Sequence, residues 1–149
     1  MMPEELANPK QINYKNLAQA AIILTNPIHL CAVTHCLLSK KITSLDQLVK
    51  IKNQECKKIG IDQEYVKIFY NPFQTVGFCG DLICNETNKP VKKYIELGGL
   101  FATRAGVRHE LYHILKNHKA KSNLKEYLLE YYFIHEPQAD LYQMFGIKI

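Results

Sequence analysis

His109-Glu-Leu-Tyr-His113 constrains the fold of this 149-residue chain more than any other stretch. An H-E-x-x-H run works only on a helix, where positions i and i+4 share a face and both imidazoles can reach one ion. Glu110 then stands one step round the helix, where a carboxylate can take a proton from water. A second piece lies downstream, Glu136-Pro-Gln-Ala-Asp140. Glu136 supplies the third protein ligand that a catalytic zinc usually takes, leaving a fourth position for water. Asp140 falls on the same helical face and can accept the second ring N–H of a ligating histidine, fixing its tautomer and orientation. The competing reading is a surface helix whose His and Glu side chains are merely solvated. With six His and ten Glu, H-E-x-x-H alone arises in roughly one shuffled chain in sixty, and the downstream E-x-x-x-D lowers that to about one in a thousand. The pair of motifs therefore carries the expectation of a zinc centre. Pro137 is tolerated in a first helical turn but not inside a helix, so Glu136 is expected at the mouth of the last helix. His135 and Glu130 are the neighbouring alternatives as ligand.

The length fits a single domain spanning 1–149, with a helical part over 1–60 and the metal-site part over 61–149. Hydrophobic content of 47% and charge of 22% are ordinary for a soluble globular protein. The net charge of +5 is spread along the chain. Its nearest cluster is Lys116, Lys119, Lys121 and Lys125, with no arginine-rich or aromatic RNA-binding pattern, which argues against a nucleic-acid partner. The N-terminus is acidic and the apolar stretch at 20–24 is short, so neither a signal peptide nor a membrane span is expected. The expected location is the cytoplasm, with secretion by a signal-independent route left open. Five cysteines, an odd number, argue against a complete disulfide framework. Cys31/Cys36 and Cys79/Cys84 have C-x4-C spacing rather than the C-x2-C of a zinc knuckle, so with Cys56 they are expected as buried free thiols.

Hydrophobic spacing predicts a helix over 13–24. Asn26-Pro27 opens a second to about residue 39, and Ser44-Leu-Asp-Gln47 resembles a capping box opening a third that Gly60 ends. Strands are expected at 65–70, 75–84 and 93–97, with 85–90 as a loop. Helices follow at about 102–118, which holds the motif and is anchored by Val107, Leu111, Ile114 and Leu115, then at 124–134 and from near 137. The expected class is α+β: N-terminal helices, a small, mostly antiparallel meander of about three strands, then C-terminal helices.

His-Glu-Leu-Tyr-His followed, after 22 intervening residues, by Glu136-x-x-x-Asp140 resembles the gluzincin metallopeptidases. The short length, the strands just upstream and Glu136-Pro-Gln-Ala139-Asp140-Leu-Tyr142 are closest to the small ImmA/IrrE-type and minigluzincin branch. The resemblance covers about residues 66–145. It implies a zincin-like fold, zinc held by His109, His113 and Glu136, Glu110 as general base, and Asp140 as outer partner of a ligand. Larger gluzincins place a transition-state-stabilising His or Tyr in a downstream domain. Here the candidate replacements are Tyr131, Tyr132, Tyr142, His135 and Arg108.

The expected activity is hydrolysis of peptide bonds in a protein or peptide, with water activated by zinc and Glu110. An edge strand usually holds such a substrate by strand addition, and 94–97 and 77–82 are the candidates. The alternative is a non-catalytic, zinc-containing regulatory or interaction protein associated with a repressor, toxin or effector. A purely structural zinc site has no need of Glu110, which favours catalysis.

Overall fold

The computed structural model describes residues 26–74, 77–84, 87, 89–118, 130 and 133–146. The helix expected at 13–24 and most of that expected at 124–134 lie outside the described residues. Those described form four helices and one three-stranded sheet, an α+β arrangement. Helix α1 spans Pro27–Leu38 and α2 spans Leu45–Ile59. Strands β1 (Val66–Asn71), β2 (Phe78–Cys84) and β3 (Lys89–Gly98) follow, then α3 (Arg104–Leu115) and α4 (Glu136–Phe145).

Local chemistry sets most boundaries. Asn26 Oδ1 accepts from the backbone N–H groups of Ile28 and His29 at 3.1 and 3.3 Å, and Pro27 has no N–H to leave unpaired. Gly60 takes φ 78° at the end of α2, a left-handed conformation that costs glycine nothing. The capping box expected at Ser44 does not form: Ser44 has an extended N-cap backbone, but its side chain caps nothing. Nothing in the structure explains this.

The sheet corrects the expected meander. Its order is β1-β3-β2, with β1 parallel and β2 antiparallel to β3, so it is mixed rather than mostly antiparallel. The physical reason lies in β3, which buries Ile95 and Leu97 completely and is the strand best suited to the middle. Strand β3 also begins earlier than expected, at Lys89. Pro90 is accommodated beside a register shift at Leu82/Ile83, a bulge position where a missing N–H costs little.

Val66, Ile68, Ile95 and Leu97 on the inner face of the sheet pack against α2 and α3, the latter through Val107, Leu111 and Ile114. On the outer face the Tyr94 ring meets Phe69 and Phe78 edge-on at 6.1 and 6.2 Å. Among the described residues, no helix is long and apolar enough to cross a membrane.

Candidate metal centre

Helix α3 presents His109 and His113 one turn apart, and α4 packs across it to bring in Glu136. Glu136 is the first residue of α4, as Pro137 requires. Residues 133–135 wind as a wider, π-type turn. Such a turn suits a proline that can neither donate to, nor fit against, the carbonyl four residues back. His109 Nε2 lies 3.2 Å from His113 Nε2 and 3.2 Å from Glu136 Oε2, while His113 Nε2 lies 3.4 Å from Glu136 Oε1.

These separations test the fit to an ion. Nitrogen and oxygen ligands at ~2.0–2.1 Å round a tetrahedral centre stand about 3.3 Å apart. The three distances, with Glu136 turning a different oxygen to each histidine, bracket that value, and the donor set of two imidazoles and a carboxylate is one that zinc takes. Charge points the same way. Glu110, Glu136 and Asp140 are all buried, and among the described residues the recorded ion pairs of Glu136 and Asp140 are with histidines. Burying several carboxylates together is costly unless positive charge balances them.

Without an ion, the histidines divide the work. Burial opposes a charge on His109, but the Asp140 and Glu136 carboxylates outweigh it and raise its pKa well above the ordinary value. Burial, reinforced by that charge, drops His113 to about 3. Glu136 is held below the usual carboxylate range because its contact with His109 overcomes its burial. Burial, partly offset by His109, pushes Glu110 up to about 7, the range in which a carboxylate both accepts and returns protons near neutral pH. The Cys79 thiol on β2 lies within electrostatic reach of the Glu110 carboxylate, and burial, then Glu110, push the thiol pKa far up, keeping it protonated.

Asp140 lies on the expected side of α4. Its Oδ1 is 3.2 Å from His109 Nδ1. The distance suits a hydrogen bond, but His109 Nδ1 makes none. We read the contact as charge pairing that a small ring rotation would convert into a bond. His135 and Glu130, the alternative ligands, are elsewhere: the His135 ring stacks on His118 at 3.8 Å and stands 3.9 Å from Glu130.

Of the candidate transition-state stabilisers, Arg108 is bound to Glu55 at 2.9 Å and Tyr142 is buried in a stack on Tyr112. Both are committed to packing. Tyr131 and Tyr132 lie outside the described residues. Tertiary structure adds side chains that no motif announced. His118 reaches His113 Nδ1 at 3.0 Å through its own Nδ1, and burial, then His135, lower its pKa to about 4. His29 on α1 bonds to Asp140 at 2.7 Å. Neither carries a sequence signal beyond being a histidine.

The sheet supplies the remaining wall. Since β3 is central, residues 94–96 are paired on both sides and cannot add a strand, which corrects one of the two expected edges. β2 is an edge strand, and its inner face carries Cys79 towards Glu110. A cavity of about 270 Å³ lies beside it, lined by Cys79, Gly80, Asp81, Lys93, His113 and His118 among others. No disulfide joins the five cysteines; Cys36 and Cys56 are buried, but against expectation Cys79 and Cys84 are only half-buried and Cys31 is exposed.

No family model, curated protein or solved structure matches this chain.

Proposed function

We propose that this protein is a small zinc-dependent peptidase of the gluzincin type, with a zincin-like metal-site region, acting on a protein or peptide. The observation that carries the reading is the convergence of His109, His113 and Glu136 at tetrahedral ligand spacing, with the buried Glu110 next to them in sequence. These three side chains would hold the ion. Zinc, when bound, supplies a Lewis acid that polarises a carbonyl and brings the pKa of water from near 16 to ~7.

The chain's own residues do the rest. Glu110 accepts the proton of the attacking water and returns it to the leaving amine. Its burial against β2 and the Cys79 thiol keeps bulk water from competing for the carboxylate. Asp140 faces the outer nitrogen of His109 as its charge partner, and His118 bonds the outer nitrogen of His113. The free edge of β2 accepts an extended peptide, and the cavity beside Asp81 and Lys93 takes one of its side chains.

The test joins metal analysis of the purified protein to a proteomic cleavage screen. Wild type should carry about one zinc per chain. His113→Ala should lose most of it, together with the thermal stability that a metal bound only by the folded state confers. Glu110→Gln should keep zinc and fold while hydrolysis drops roughly 10²–10⁴-fold, because the amide cannot accept the proton. Equal metal content in wild type and His113→Ala would sink the centre. A fully active Glu110→Gln would refute the mechanism and leave the non-catalytic alternative.

A further inference from the structure

We propose that His29 is a positioning residue for this centre: from α1 it grips Asp140, and through Asp140 it sets the ring of His109. The inference rests on the reading of His109 as a ligand. His29 Nδ1 lies 2.7 Å from Asp140 Oδ2, while the other oxygen of that carboxylate faces His109 Nδ1 at 3.2 Å. One buried carboxylate is thus shared between two imidazoles, one oxygen each. A lone Asp–His contact leaves the carboxylate free to turn about its last torsion. A bond to its second oxygen removes that freedom, and preorganised partners of a ligating His raise metal affinity.

His29 is itself held. Ala32 O accepts from Gln143 Nε2 of α4 at 2.7 Å, and Cys36 Sγ meets Thr103 Oγ1, the N-cap of α3, at 3.1 Å. Positions 29, 32 and 36 are spaced i, i+3 and i+7, so they form one face of α1. That face is fastened to both helices that carry the candidate ligands. By linkage, whatever seats α1 tightens the metal, and the metal in turn seats α1.

His29, Glu136 and Asp140 also lie close enough together to raise the question of a second cation. The His29–Asp140 distance decides against it. At 2.7 Å it is a hydrogen bond, and it is shorter than the ~3.3 Å that separates two donors on one tetrahedral ion.

The test uses the full chain and competition for zinc against a chromophoric chelator, with His29→Phe and His29→Asn beside wild type. Phe fills the space without a donor, whereas the Asn amide can replace the Nδ1–H. We expect one ion in all three, affinity down about 10–100-fold in His29→Phe and largely restored in His29→Asn. Cobalt(II) in place of zinc should show an altered visible spectrum in His29→Phe alone, a change that a merely structural helix contact would not produce. In wild type, stripping the metal should speed amide exchange across 27–38. A wild type that takes up no zinc removes the centre, and this role with it. A zinc-binding wild type matched in affinity by His29→Phe overturns the role of His29 alone. Two ions in wild type against one in His29→Phe would make His29 a ligand and overturn it equally.

Discussion

Gly106 shows how one missing methyl positions the centre. It lies in the first turn of α3, where a Cβ would run into the backbone oxygen of Phe101. That oxygen belongs to the backbone and not to the tip of a flexible side chain, so Gly106→Ala must displace the start of the helix that carries His109 and His113. We expect a loss of about 1–3 kcal/mol or more, the usual cost of overpacking, read as a lower denaturant midpoint at unchanged slope. An Ala variant as stable as wild type would contradict the packing described. Gly77 differs in kind: a Cβ there would come 2.9 Å from Glu110 Oε1 and from Leu97 Cδ2, both side-chain ends. Its absence lets the chain entering β2 lie directly on the Glu110 carboxylate.

The elements owe their ends to short-range bonds and their places to long-range ones. Thr103 serves both purposes. Its Oγ1 accepts from Gly106 N at 3.0 Å, capping α3, and touches Cys36 of α1. Thr103→Val keeps the shape and removes the acceptor. It should cost about 1 kcal/mol, within the usual range of roughly 0.5–2, and Thr103→Ser should recover most of that in urea denaturation. Equal midpoints for Thr103→Val and wild type would show that the cap is idle. Asn26 and Gly60 were legible as helix ends because everything they need lies within four residues. Strand order was not legible, because β1 and β3 pair across 26 intervening positions and no local preference encodes that choice.

Across the molecule, the opposite side of α3 is tied to α2 by one fully buried carboxylate. Glu55 meets Arg104 at 2.7 Å, Arg108 at 2.9 Å and Lys58 at 2.9 Å. Burial alone would raise its pKa, but these bonds overcome that and lower it below the ordinary 4.5. A depressed folded-state pKa adds stability that is complete above the unfolded value and disappears as pH falls through the folded one. Glu55→Gln should therefore be less stable than wild type near neutral pH by about 1–3 kcal/mol, towards the low end because Arg104 and Lys58 are partly exposed. The gap between the two proteins should close on acidification below pH 4.5, as measured by denaturation at a series of pH values. A gap that stays constant with pH would show that the cost comes from packing rather than charge.

By itself the sequence determined the helix that carries His109, Glu110 and His113, the end of α4 at which Glu136 must stand, and the face that Asp140 shares with it. Each follows from helical periodicity or from proline's missing N–H, and both act over a few residues. Only the tertiary structure decided which side chains stand behind those. His29 is 111 positions from Asp140 in the chain, and Cys79 is 31 positions from Glu110. The placement of residues 94–97 in the middle of the sheet, which leaves β2 as the edge beside Glu110, was decided there too. The physical reason is range. Hydrogen bonds along a helix repeat with a period that a sequence displays, whereas contacts between helices and strands are chosen by burial of whole faces, which no single stretch of residues records.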